Sequence, residues 1–219
     1  MRYPLLLLLV FGVFSATAPA RAEPPPGIVM AIAGETDPPL SAMAEIPANT
    51  LIVLQPRTKL TFLHYSRCKL VTVTGGTLTL TRADYKEDGR VESEADGPCP
   101  HVYALPDTGA EGRSTGGMVA RGLDMPPRWP VSPDIVFTGS RARAVAAAAI
   151  FAEGQLAQPA LKLNVVNTRG RPGQGDAPLQ PGGHYMLRLT MANQRDPVDV
   201  PFIAVTPASP GSFVVLRVD

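Results

Sequence analysis

Cysteine is scarce in this chain, with two in 219 residues. Histidine is almost as rare (three), and only 6% of residues are aromatic, with a single tryptophan, Trp129. So few thiols and imidazoles leave little material for a metal cluster. Charge of one sign is missing too: 20 Lys and Arg face 19 Asp and Glu. No basic field therefore exists to hold nucleic acid or acidic lipid, and no nucleic-acid partner is expected. The strings G-x-S-x-G, Walker A, H-E-x-x-H, EF-hand and C-x-x-C-H do not occur, which removes the motif-based routes to hydrolase, nucleotide, zinc-protease, calcium and haem chemistry. Beyond the N-terminus the longest apolar stretch is Ala144–Ala152, mostly alanine and far too short to span a bilayer.

Proline and glycine, by contrast, are abundant, 24 and 20 residues. That usage argues against long helices and for short strands punctuated by turns. At the front, Arg2 precedes an apolar run from Leu5 to Phe14, and Ala20-Arg21-Ala22 has the small-x-small form of a signal-peptidase site. Residues 1–22 are thus expected to be a cleaved leader. No cysteine lies there to carry a lipid, and no transmembrane anchor is expected after processing. Removing Arg2 and Arg21 takes the 20 cations to 18 against 19 acids, a net charge of −1 on the mature chain. The expected location is the periplasm.

Strand-like runs follow. Gly27–Gly34, Thr50–Leu54 and Lys59–Tyr65 come first, then Leu70–Val73 and Thr77–Thr81, joined across Gly75-Gly76. The last pair reads as a hairpin because a Gly-Gly turn supplies positive φ. Ser66-Arg67-Cys68 is the expected turn of the preceding hairpin. From Arg82 to Pro133 the periodicity disappears, and Leu105–Pro133, rich in Gly and Pro, is read as a linker in which Trp129 either packs on a module or marks a binding surface. Strands return at Asp134–Phe137, Leu161–Val166, His184–Met191, Val200–Val205 and Phe213–Val218. Arg141–Glu153 contains four consecutive alanines and stays open between helix and strand, with a strand through Val145–Phe151 favoured by its bounding glycines. The expected fold class is all-β, with two small modules, 27–104 and 134–219, and 105–133 between them.

Two resemblances give these modules names. Leu179-Gln-Pro181-Gly182-Gly-His-Tyr185-Met-Leu187 resembles the tyrosine corner, L-x-P-G-x-x-Y-x-L, of fibronectin type III and bacterial Ig-like modules. It implies a β-sandwich in which the Tyr185 hydroxyl bonds to nearby backbone, expected around Ala177–Leu179. The N-terminal part resembles a FecR-type periplasmic domain in its G-x-V-x-x-x-x-G opening strand and the small hairpins after it. It departs from that pattern at Pro47-Ala-Asn49 and at Ser66-Arg67, and the resemblance implies a β fold rather than a signalling role.

Chemistry centres on four residues. In an oxidising compartment Cys68 and Cys99 read first as a disulfide closing a loop of 31 residues. The same cysteines with His64 and His101 also form a set that could bind zinc or copper. Tyr65-Ser-Arg-Cys68-Lys-Leu resembles in part the S-x-G-C-x-R-L string of L,D-transpeptidases, without its glycine and arginine. Ser66-x-x-Lys69 matches the S-x-x-K string of penicillin-recognising enzymes, which needs its serine at a helix start. Asp84, Glu87, Asp88, Glu92 and Glu94 read as a solvated charge run. The resulting expectation is an exported, non-catalytic binding or scaffolding accessory of the cell envelope, without cofactor, whose partner is an envelope protein or polymer. The alternative is a thiol- or metal-dependent periplasmic enzyme or metal-binding protein built on His64, Cys68, Cys99 and His101.

Overall fold

The computed structural model describes residues 24–105, 126–207 and 211–219. The expected leader, 1–22, and most of the Gly-rich stretch lie outside the described residues. Among those described, the chain is all-β and forms two sheets. The first is a seven-stranded half-barrel of β1 (Gly27–Ala33), β2 (Thr36–Asp37), β3 (Glu45–Ile46), β4 (Leu51–His64), β5 (Lys69–Leu80), β6 (Tyr85–Glu87) and β7 (Arg90–Asp96). The second is a nearly closed sheet of nine strands. These are β8 (His101–Ala104), β9 (Arg128–Pro130), β10 (Ile135–Thr138), β11 (Val145–Ala152), β12 (Leu161–Val166), β13 (Arg169–Pro172), β14 (His184–Met191), β15 (Val198–Val205) and β16 (Val214–Arg217). No helix among the described residues is long and apolar enough to cross a membrane.

Several strands extend further than local pattern predicts. Thr50–Leu54 and Lys59–Tyr65 are one strand, β4, interrupted by a bulge between Leu54 and Lys59. Pro56 is tolerated there because a bulge has no ladder bond for it to break. The bulge is anchored by Thr58, whose buried hydroxyl accepts the Glu35 N–H and donates to the Glu35 carbonyl, both at 3.0 Å. The Gly75-Gly76 hairpin does not form. Both glycines have positive φ (62° and 78°), but they lie inside the continuous strand β5, opposite the β4 bulge. Their conformation serves a close approach instead: a Cβ on Gly76 would sit 2.6 Å from the backbone of Gly89, in the β6–β7 turn. Positive φ suits a bulge as well as a turn, so local chemistry does not separate the two. Tyr65–Cys68 does turn the chain between β4 and β5, as expected of Ser66–Cys68.

The alanine-rich segment is the strand β11, paired on both sides, with β12 and β14. Two flanking ladders outweigh alanine's helix propensity. Its small side chains let Ala148 face the core while Ala146 and Ala147 face solvent.

Two short strands redraw the expected module borders. His101–Ala104, counted above with the N-terminal module, is β8 and pairs in parallel with β16 of the second sheet. Arg128–Pro130, inside the expected linker, is β9 and pairs in parallel with β15. Trp129 is fully buried there, stacked on Phe202 at 4.5 Å and tilted against Tyr103 of β8 at 5.8 Å. That aromatic contact brings together the two edge strands of the nine-stranded sheet, β8 and β9.

The two sheets do not sit apart like beads. Ile135, Phe137, Val214 and Leu216 enter the core enclosed by the second sheet, while Val136, Phe213 and Val215 form a separate buried cluster with Ile28 and Leu63 of the first. β10 and β16 are thus buried on both faces, which is why Ile135-Val-Phe137 and Phe213-Val-Val-Leu216 read as unbroken apolar runs rather than alternations.

Candidate functional site

The sequence-predicted residues divide into two places. Cys68 and Cys99 are joined as a disulfide with their Cα atoms 4.8 Å apart. Cys68 occupies the β4–β5 turn with φ of 51°, and its carbonyl accepts the Gly97 N–H at 2.7 Å. The bridge therefore clamps the chain where it leaves β7 of one sheet for β8 of the other. With both sulfurs bonded to each other, neither thiolate is available as nucleophile or ligand.

The histidines do not join them. His64 is fully buried at the end of β4. Its Nε2 lies 3.0 Å from the Thr81 carbonyl, an acceptor only, so Nε2 carries the proton. Its Nδ1 faces the Ser66 hydroxyl at 3.4 Å, and that hydroxyl donates to the Arg82 carbonyl at 2.7 Å. The imidazole fastens the β4–β5 turn to the chain after β5. His101 is exposed on β8, its ring against Tyr103 at 6.5 Å. Among the described residues no group of three or more His, Cys, Asp or Glu is placed to hold a metal. Ser66 lies in a turn between strands, and Lys69 donates to Asp96 at 2.7 Å.

The acidic run is engaged with its neighbours. Asp84 pairs with Arg67 and accepts the Tyr85 N–H, and this backbone bond leads in holding its pKa below the usual range. Asp88 accepts the Thr77 N–H and is likewise lowered. Glu92 pairs with Lys59 and accepts from Thr74, which lowers it as well. Glu94 accepts the Tyr85 hydroxyl at 2.6 Å, and burial together with this bond raises the phenol to about 12. Glu92 thus stitches β7 to β4 and β5 and Glu94 ties it to β6, while Asp84 and Asp88 fasten the turns on either side of β6, and the described residues form no cation site here.

Tyr185 opens near the start of β14, half-buried, with its ring 5.8 Å from Phe202. Its hydroxyl accepts the Gln180 N–H at 3.0 Å, one residue beyond the expected range. Leu179 and Gly182 are tied down at the same time, by Leu179 N–H to the Val131 carbonyl (2.8 Å) and Gly182 N–H to the Ala204 carbonyl (2.7 Å). Gly183 is needed because a Cβ there would lie 2.7 Å from the tyrosine ring.

Two features at the junction of the sheets escaped the sequence reading. One is a buried polar cluster. The Glu45 side chain is 8% exposed and receives Arg217 Nη2 at 3.1 Å, joining β3 to β16. Tyr65 Oη, Thr138 Oγ1 and Glu45 Oε1 are buried in it without a partner of hydrogen-bond geometry among the described residues. Burial pushes the Glu45 carboxyl up, and Arg217 offsets this only in part. The Tyr65 phenol is driven well above its ordinary range by burial and by the nearby carboxylate.

The other is a groove of about 1050 Å³ between Ser41–Met43, ahead of β3, and the β12–β13 hairpin. Arg143, Arg169 and Arg171 line it, with Asn164 and Asn167, and among the described residues no carboxylate does. Behind them Asp134 grips Arg169 through Nε (2.7 Å) and Nη2 (2.6 Å) and takes Arg171 through Nε at 3.0 Å. The hairpin tip is Asn167-Thr168, both in the left-handed region at φ of 47° and 62°. Two positive-φ residues are what a two-residue turn of this kind requires, but a β-branched threonine there is strained by about 1–2 kcal/mol. Nothing in the local pattern marks Arg143, Asp134 or Glu45: the partners of Asp134 and Glu45 are remote in sequence, and Arg143 is a single charge without an ion pair among the described residues. Compared with known proteins, the chain matches no family model, no curated protein and no solved structure.

Proposed function

We propose that the protein is exported through its N-terminal leader and works in the periplasm as a non-catalytic binding or scaffolding accessory of the cell envelope. The observation that carries this reading is the Cys68–Cys99 bridge, because such bonds form and persist in oxidising compartments. The leader-like string at 1–22 supports the same compartment. The Tyr185–Gln180 bond supports an Ig-like character for the second sheet, and fold-level analogy with such modules then favours a role in surface contact. The FecR-like character of the first sheet rests on its opening strand and the β4–β5 hairpin. A groove at the junction of two sheets is the kind of surface on which such a protein binds.

Cell fractionation with N-terminal sequencing and a thiol titration tests the proposal. The expected result is a chain beginning near Glu23, recovered from the periplasm, with no free thiol. A full-length reduced chain in the cytoplasm overturns it.

A further inference from the structure

The groove between Ser41–Met43 and the β12–β13 hairpin carries a local excess of positive charge on a chain that is otherwise balanced. Three arginines line it, and the one carboxylate paired with any of them among the described residues, Asp134, lies behind Arg169 and Arg171. Arg169 is held in place by two bonds to that carboxylate. Arg171 reaches Asp134 only through Nε, leaving its terminal nitrogens free of any hydrogen bond or ion pair among the described residues. Arg143 is exposed and has no ion-pair partner among them. A guanidinium already fixed by a carboxylate behind it presents its remaining donors at low entropic cost, and their fork matches an incoming carboxylate.

The rest of the lining narrows the occupant. The amides of Asn164 and Asn167 both donate and accept, as peptide groups require. Met43 and Val166, the latter 65% exposed, offer apolar contact beside the charges. Among the described residues no aromatic ring lines the groove, so they offer no stacking platform of the kind a nucleobase would use. The strained Asn167-Thr168 tip belongs to the same wall, and strain of this kind collects at binding sites.

We infer that this groove binds a carboxylate-rich, extended peptide segment of a partner protein, with Arg143 and Arg171 receiving its acidic side chains. The inference rests on the binding reading proposed above and names the ligand class of that surface.

Fluorescence anisotropy on the full mature chain tests it, with a labelled peptide of alternating Glu and Val as probe. A Lys/Val peptide of equal length and an anionic polysaccharide, polygalacturonate, serve as comparisons. Arg143→Glu is the first variant, because an exposed side chain without a partner can be reversed without disturbing the fold; Arg171→Gln is the second. The expected result is saturable binding of the Glu/Val peptide alone, weakened about tenfold or more by Arg143→Glu and further by the pair, and weakened by added salt. Binding that both variants leave unchanged overturns the site. Tighter, Arg143-dependent binding of polygalacturonate overturns the peptide as occupant. Absence of binding to every probe overturns the inference while leaving export and disulfide formation, which fractionation reads separately, as they stand.

Discussion

Removing the Arg217 guanidinium is the most informative perturbation of the junction between the sheets. Its Nη2 is the cationic partner of Glu45, whose side chain is 8% exposed, whereas Arg217 itself is 28% exposed and has a second acid, Asp219, at 3.3 Å. The two ends of this pair are therefore unequal. In Arg217→Met the buried carboxylate loses its counter-ion, and a stranded buried charge costs about 3–5 kcal/mol. In Glu45→Gln the arginine keeps Asp219 and partial contact with water, so a cost below about 1 kcal/mol is expected. The pair Glu45→Gln, Arg217→Met strands no charge at all and should recover most of the loss. The pH dependence has a definite sign. Because burial raises the Glu45 carboxyl above 4.5, the folded chain binds this proton more tightly than the unfolded one. Its contribution is fully present below 4.5 and is lost as pH rises through the raised value. The Arg217→Met deficit must accordingly shrink as pH falls from 7 toward 4.5. Urea denaturation of wild type and the three variants at pH 7 and pH 5 measures this, each variant being compared with wild type at the same pH so that surface carboxylates cancel. Equal losses for Glu45→Gln and Arg217→Met, or an Arg217→Met deficit that grows on acidification, would refute the reasoning.

Three further outcomes are expected. Tyr185→Phe removes the acceptor of the Gln180 N–H at an exposed turn and should cost about 0.5–1.5 kcal/mol, while Tyr185→Ala also strips the ring from Phe202 and should cost about 2–3 kcal/mol; denaturation midpoints equal to wild type for both would mean that the corner holds nothing. Replacing Cys68 and Cys99 together by serine opens the loop of 31 residues and should lower stability by about 3–4 kcal/mol, read from the same urea curves, and an unchanged midpoint contradicts it. A protease site engineered within 106–125 and then cleaved should leave two halves that co-elute on gel filtration, because β8 stays paired with β16 and Ile28 and Leu63 stay packed on Val136 and Phe213; separation of the halves under native conditions would show that this junction is too weak to hold them.

Much of the architecture was legible before any coordinates, for local reasons. Alternating β-branched residues bounded by Gly and Pro marked β1, β12, β14, β15 and β16 and much of β4 and β5, since side-chain period and turn chemistry act over a few residues, whereas the polar β7 within the stretch read as aperiodic from Arg82 onward carried no such signal. Two cysteines in a chain with a leader-like start marked the bridge, and Pro181-Gly182 before Tyr185 marked a turn fastened by the tyrosine hydroxyl, through a bond that spans only five residues. Other features depended on partners far away in the chain. Gly75-Gly76 has the same positive φ in a turn as in a bulge, and only the approach of Gly89 makes it a bulge. Four alanines favour a helix until β12 and β14 flank them. His101–Ala104 becomes part of the second sheet only because β16 offers it a parallel edge. The Glu45–Arg217 pair and the three-arginine groove exist because the sheets dock, and docking follows from burying apolar surface on both faces of β10 and β16, a long-range term that no short window of sequence contains.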